Sequence, residues 1–323
     1  MSVNDKPLNQ DDLMVAAAWL YYKDGLTQQE IAKELELSRV AVVRLLQRAR
    51  REKLVQVRIN RPLPEAYQLT KALEERFLIK KAVVVKAGST EDETLEAIGW
   101  AAAEHLKNLL SEDCRLGFGW STTVSRMAAY LEKPEKPVRV SVHELAGGFP
   151  AHENPYSISP KAAEVLGAGL VSLPAPVLVN SDEAYEALMK EPAVYHALEE
   201  AAQVDIAVVG LGDVGPECTM VKVGYLTGEQ MHELRCRGAV GDVLLRYYDL
   251  QGRHVPNPLE GRIVSLSWED IQSIPRVMAL ASGDLKIDVI LGALQGPIIT
   301  DLVTDTETAR QVLDRKPPVN PCT

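Results

Sequence analysis

Residues 27–50, TQQEIAKELELSRVAVVRLLQRAR, read as two short helices joined by a tight turn, the second with arginines on its outer face. Thr27 can cap the first helix through its hydroxyl. Glu30, three positions on, can reach back to complete a capping box ahead of Ile31, Ala32 and Leu35, so the first helix starts near Gln28. Ser38 is a good N-cap for the second helix, and Val42, Leu45, Leu46 and Ala49 follow at the i, i+3, i+4, i+7 spacing of one buried stripe. Arg39, Val40, Ala41, Val43, Arg44, Gln47 and Arg48 remain outside. This is the layout of a helix-turn-helix, whose second helix enters the DNA major groove. There Arg can pair with guanine, Gln with adenine, and small apolar groups can touch thymine methyls. Gln28 and Ser38, at the helix starts, complete the candidate DNA-binding set. Arg50, Arg51, Lys53, Arg58 and Arg61 fit phosphate contacts, which position the module without reading sequence. Glu36 occupies the turn where such motifs often have Gly, so the turn either avoids the left-handed region or carries a modest strain.

The plainer reading is an amphipathic helical hairpin with a solvated basic face. Charge distribution argues against it: residues 38–61 hold eight Lys or Arg and a single acid within a chain of net charge −10. Basic charge is concentrated on the proposed DNA face. A helix from about Asp12 to Lys23, with Val15, Trp19 and Tyr22 as core candidates, supplies the first support of a three-helix unit. Leu54 to Ile59 would form a short wing hairpin or exit strand.

At 323 residues a single domain is unexpected. Pro62 and Pro64 mark a boundary, and the expected division is a DNA-binding domain over 1–61, a linker helix within 62–80, a larger domain over 81–315 and a disordered tail over 316–323. The linker pattern places Ala66, Leu69, Leu73 and Phe77 on one stripe of a helix from Glu65 to Phe77, to be buried against its own domain or against its copy in a dimer. The acidic remainder keeps the larger domain off DNA. No apolar run of about 18 residues and no basic-then-apolar leader occur, so the chain reads as neither membrane-spanning nor secreted. Four scattered cysteines without CxxC spacing point to reduced thiols in a cytoplasmic protein, not to disulfides or a structural metal.

From Lys81 onward, short β-branched runs alternate with helical stretches. KAVVVKA (81–87) leads to a helix over about 91–110, and RLGFGW (115–120) to one over about 121–132. Next, 138–148 precedes a helix near 159–168, and a strand near 170–174 precedes a long helix over about 181–202. VDIAVVGLG (204–212) has the continuous apolar run of a central strand buried on both faces. A hairpin over 243–255 is expected around Leu250 to Gly252, followed by RVMALASG (276–283), a helix and the strand IITDLVT. The alternation predicts an α/β fold, a doubly wound and mostly parallel sheet.

Ligands of such sheets sit at the carboxyl ends of strands. Three such ends stand out. In Gly117-Phe118-Gly119-Trp120-Ser121-Thr122-Thr123 the glycines permit close approach, while hydroxyls and helix-start N–H groups suit a phosphate. Ser282-Gly283-Asp284-Leu285-Lys286 adds a lysine for a charge-assisted bond. Gly238-Ala239-Val240-Gly241-Asp242 places an acid that can accept from ligand hydroxyls. Each also has a bland reading: a structural turn, a solvated lysine, a cap.

In order, GLTQQEIAKELELSRVAVVRLLQRAR, GFGWSTT, ELAGG, IAVVGLG, GAVGDVLLRYYDLQG and ITDLVTD resemble the SorC family of bacterial transcriptional regulators over about residues 12–313. The resemblance implies an effector domain related to sugar-phosphate isomerases and deaminases, binding a phosphorylated sugar or polyol, commonly in a tetramer. It places the phosphate at the loop matching Ser121, Thr122 and Thr123 and the lysine matching Lys286, and the sugar at the acid matching Asp242 and the glycines matching Gly147 and Gly148. Gly117 and Gly119 belong to the same candidate effector site. Ala146 stands where some relatives carry a basic residue, so no particular effector is carried over.

The rival class is a sugar-phosphate isomerase- or deaminase-like enzyme. Val209 to Gly215 is reminiscent of a deaminase segment with Asp, Gly and a catalytic His, but no His follows Gly215. His143 and His152 read as structural or ligand-shaping, and no Ser-His-Asp or metal-hydrolase spacing is present. The expectation is a non-enzymatic repressor without metal or cofactor. Its partners would be operator DNA, a phosphorylated sugar or polyol and further copies of itself, as a dimer or tetramer.

Overall fold

A computed structural model of the protein describes residues 9–55, 63–134, 138–148 and 156–315. The chain forms two compact units, residues 1–62 and 63–323.

In the first unit, helix α1 (Gln10–Tyr22) is capped by Asn9, whose side-chain oxygen accepts from the Asp11 and Asp12 N–H groups at 2.9 Å. Helix α2 (Gln28–Glu34) carries both halves of the Thr27–Glu30 capping box, and Ser38 Oγ accepts from the Ala41 N–H at 3.2 Å to start helix α3 (Arg39–Arg51). Met14, Ala17, Ala18, Ile31, Ala32, Val42, Leu46 and Ala49 form the core of this unit, with Leu45 half-buried beside them.

The core face of α1 differs from the expected one. Val15 and Trp19 are 46% and 60% exposed, and Tyr22 is only half-buried. The Met14–Ala17–Ala18 stripe has the same helical spacing as Val15–Trp19–Tyr22, and its alanines let α3 approach closely, which the larger side chains would prevent. Glu36 has φ +54°, so the turn enters the left-handed region and carries the strain. The wing expected over 54–59, with Arg58, Arg61 and Pro62, falls largely outside the described residues.

The second unit begins with helix α4 (Glu65–Phe77), whose Leu73 is fully buried and whose Ala66, Leu69 and Phe77 pack against the core of this same unit. Among the described residues ten strands follow: β1 (Lys81–Val85), β2 (Cys114–Phe118), β3 (Val140–Glu144), β4 (Gly169–Val171), β5 (Ile206–Gly210), β6 (Gly212–Asp213), β7 (Ala239–Val243), β8 (Arg246–Asp249), β9 (Arg276–Leu280) and β10 (Asp301–Asp305). Seven make a parallel sheet in the order β1-β10-β9-β5-β2-β3-β4, and β6-β7-β8 make a small antiparallel one.

Central strand β5 pairs with β2 and β9 and divides the core by its two-residue period. Ala207 and Val209 face one apolar cluster, and Ile206 and Val208 the other. This is the doubly wound α/β fold that the alternation predicts.

Several elements differ in extent. The stretch after β2 is only a helical turn, Thr122–Ser125, and a 3-10 turn, Arg126–Ala129. The long helix expected over 181–202 is two, Asp182–Met189 and Pro192–Ala201, because Pro192 has no N–H to continue a helix and instead starts one. The expected hairpin turns twice. The tight turn lies at Leu244–Leu245, between β7 and β8, and the Asp249–Gly252 turn follows.

The strain at Glu36 is testable. Glu36→Gly should stabilise the protein by about 1 kcal/mol in denaturant unfolding, whereas a β-branched residue there should destabilise it. Equal midpoints for the Gly and Val variants would mean that the turn is not left-handed in solution.

Candidate functional site

The winding of the sheet reverses between β2 and β5: from β2 the chain proceeds outward to β3 and β4, and from β5 to β9 and β10 in the other direction. The loops leaving the carboxyl ends of β2 and β5 therefore part to opposite sides and leave a crevice, the usual ligand position in such sheets. A cleft enclosing about 720 Å³, open solvent at its mouth included, lies there. Ser121, Thr122 and Thr123 line it after β2, Gly210 to Asp213 after β5, Asp242, Leu244 and Leu245 at the β7–β8 turn, and Lys286 after β9. Residues 120–123, 242 and 286, far apart in sequence, thus meet in one place.

Ser121 caps the short helical turn, its Oγ accepting from the Thr123 N–H at 3.1 Å and the Val124 N–H at 3.5 Å. A Cβ on Gly210 would lie 2.2 Å from that Oγ, so glycine is required where β5 passes the loop. Gly212 is equally constrained, since a Cβ there would lie 1.9 Å from Asp242 Oδ1. Lys286 Nζ donates to the Leu211 carbonyl at 2.8 Å and to Asp213 Oδ2 at 3.1 Å. Burial raises the Asp213 carboxyl, but the Lys286 charge and the Gly215 N–H outweigh it and hold its pKa below the usual value.

Asp242 is buried, and its Oδ2 accepts from the Leu245 N–H at 2.9 Å. That bond pins a two-residue turn in which Leu244 and Leu245 have φ of +52° and +64°, values that type I′ hairpins need and that leucine rarely adopts. Ser265 Oγ donates to the Leu244 carbonyl at 3.0 Å and secures the other side. Desolvation pushes the Asp242 pKa up to about 6 against the opposing pull of the Leu245 N–H and Lys286.

The candidate glycines divide differently. Gly117 packs on Leu145, Gly119 on Leu244, and Gly147 on the 175–176 backbone, while nothing lies within 4 Å of a Cβ on Gly148. None of the four is among the lining residues; Gly147 acts indirectly, its carbonyl accepting from Trp120 Nε1 at 3.0 Å, and Trp120 lines the cleft. Asp213, Tyr156, Cys218, Leu244 and Leu245 line it without having been singled out. For Asp213 the signal was available, in GLGD directly after the central strand. His143 is buried in β3, 2.9 Å from Ser141 Oγ, with its pKa lowered by burial, and does not line the cleft; His152 lies outside the described residues.

On α3 of the other unit, Arg39, Val40, Arg44 and Gln47 are exposed and Ala41 and Val43 half-buried. Gln28 joins Val43, Gln47 and Arg50 around a shallow surface groove. Arg48 departs from the expected outward set. It bridges Asp11 at 2.8 Å and Glu52 at 2.7 Å, tying α3 to the start of α1. Arg50 lies 5.6 Å from the Tyr22 ring centroid and donates to its hydroxyl.

The sugar-binding domain family model matches residues 61–314. The transcriptional regulator LsrR of Enterobacter sp. (strain 638) is 32% identical over 311 residues, covering 95% of this chain and 94% of that protein. The chain belongs to the SorC family of sugar-binding transcriptional regulators. The erythritol catabolism regulatory protein EryD of Brucella abortus is 27% identical, covering 94% of this chain and 96% of its own. The full-length sorbitol operon regulator SorC from Klebsiella pneumoniae superposes with a TM-score of 0.74 at 29% identity, covering 94% of this chain and 99% of that one. As a SorC-family member the chain is a DNA-binding transcriptional regulator. Among the described residues no helix is long and apolar enough to cross a membrane, and no cluster of metal-ligating side chains occurs.

Asp242 makes stability depend on pH. With a folded pKa of about 6 against an unfolded value near 3.9, its contribution is fully present below about pH 4 and is lost as pH rises through 6. The ionised form then costs up to about 3 kcal/mol at pH 8. Asp242→Asn keeps an acceptor for the Leu245 N–H and carries no charge, so its melting temperature relative to the native protein should rise between pH 5 and pH 8. An offset constant over that range would place the carboxyl in water.

Proposed function

We propose that the protein is a repressor of a carbohydrate or polyol catabolic operon, released or retained on its operator by a phosphorylated sugar or polyol bound in the cleft at the sheet's switch point. The observation that carries this reading is the convergence of Ser121, Thr122, Thr123 and Lys286 with Asp242 in one cleft: hydroxyls and a cation for an anionic group, a carboxyl for ligand hydroxyls. In this reading Gly117, Gly119, Gly147 and Gly148 shape the walls behind the site and do not touch the ligand. Residues 1–61 bind DNA, 62–80 link, and 81–315 bind effector and assemble the protein as a dimer or tetramer in the cytoplasm.

Arg39, Val40, Ala41, Val43, Arg44 and Gln47 read bases, with Gln28 and Ser38 at the helix starts beside the DNA backbone. Arg48, held by Asp11 and Glu52, orients α3. Catalysis is disfavoured: among the described residues lining the cleft there is no histidine to serve as the general base of a deaminase-type reaction. Control of DNA binding requires only that the effector prefer one arrangement of subunits. A tenfold preference corresponds to about 1.4 kcal/mol, comparable with the loss of one or two phosphate contacts.

A thermal-shift screen of the purified protein against phosphorylated sugars and polyols beside their unphosphorylated forms tests the effector reading, because a ligand of the folded state raises its melting temperature. A shift confined to a phosphorylated compound that is recovered unchanged is expected; turnover of that compound would replace the repressor reading with the enzyme one. On the DNA side, Arg44→Ala should lower operator affinity by about 1 to 3 kcal/mol and relax base preference, and Arg51→Ala should weaken all sequences alike and reduce the salt slope. Unchanged specificity in Arg44→Ala would remove Arg44 from the groove.

A further inference from the structure

Among the described residues that line the cleft, Lys286 is the one cation, and it is already engaged. Its ammonium donates to Leu211 O and Asp213 Oδ2, and the two side chains are only 23% and 19% exposed, so water screens the pair weakly. Asp213 is itself held in place. Its other oxygen accepts from the Gly215 N–H at 2.9 Å, and strand β6, of which it is part, pairs with β7 so that Gly212 faces Asp242. Two of the ammonium's three N–H donors are taken, so an incoming anion reaches this charge only beside the Asp213 carboxylate or in its place. A second carboxyl, Asp242, adds to the negative potential of the cleft once ionised.

We propose that Asp213 is a specificity-determining residue that acts as a built-in competitor for Lys286, an inference that rests on the reading of the cleft as an anion-binding effector site. The Asp213 carboxylate satisfies the lysine. The effector's anionic group takes over the lysine's charge-assisted bond and works against the repulsion of Asp213. A ligand with a single carboxylate exchanges one such anion for another and gains little. A phosphate dianion has twice the charge and can also accept from the hydroxyls of Thr122 and Thr123, two residues of the cleft lining. Asp213 thereby lowers the affinity for anions in general and leaves phosphorylated ligands as those able to displace it.

The test is calorimetric titration of the full chain with inorganic phosphate in a chloride buffer at pH 7.5, comparing the native protein, Asp213→Asn and Lys286→Met. Asn keeps an oxygen to accept from Gly215, and Asp213→Ser serves in its place if the Asn variant does not fold. The proposal predicts that phosphate binds at least tenfold more tightly when Asp213 loses its charge and not measurably when Lys286 is replaced. If the native protein binds phosphate through Lys286 but Asp213→Asn binds it equally or more weakly, the competition is refuted and the anion site stands. If none of the three proteins binds phosphate, the anion-site reading fails and the competition with it.

Discussion

The larger unit depends on one topological constraint, the reversal of winding between β2 and β5. A parallel sheet must return each strand through a crossover, and right-handed crossovers leaving in opposite directions cover opposite faces. At the reversal the crossovers part, and polar loop residues line the cleft between them. The position carries a packing cost that glycine meets: Gly210 lets Ser121 sit against β5, and Gly212 lets Asp242 sit against β6. Replacing either by a residue with a side chain would push the Ser121 loop or the buried acid out of place.

Asp242 links that cleft to the strained turn beside it. A buried carboxyl is costly unless hydrogen-bonded, and two successive leucines in left-handed conformation are costly unless surrounding structure determines them. Each offsets the other, through the Leu245 N–H given to Asp242 Oδ2, while the burial of both leucines supplies apolar stabilisation. A ligand that bonds to Asp242 would alter the acceptor on which the turn depends, which gives a local route from cleft occupancy to a change in backbone.

Legibility in the sequence followed the range of the interactions. The Thr27–Glu30 box, the Ser38 cap and the exit of β5 were readable because their partners lie within a few residues, and the helix α4 was readable to its ends. The face of α1 was not, because two stripes share one period and only packing against α3 decides between Trp19 and Ala17. Pro192 is a visible break within a strong helical pattern. The Leu244–Leu245 turn has none of the Gly or Asn that announce positive φ, and its stabilising partners are Asp242 and the distant Ser265. Ser121, Thr122, Thr123 and Lys286 were recognisable by type and by position after strands, and Asp242, which lies inside β7, by type alone, whereas the pairing of Lys286 with Asp213 is a contact across 73 positions that no local pattern encodes.

Control by an effector requires that cleft and DNA-binding face be thermodynamically coupled, and coupling of binding free energies is reciprocal. The decisive measurement takes a phosphorylated compound that stabilises the protein and determines its dissociation constant for the free regulator and for the operator-bound regulator at one salt concentration, alongside the operator's dissociation constant with and without that compound. The account predicts that both ratios depart from one, by about tenfold or more, and agree with each other. Ratios of one in both directions would mean that the cleft binds its ligand without governing the grip on DNA, and would contradict it.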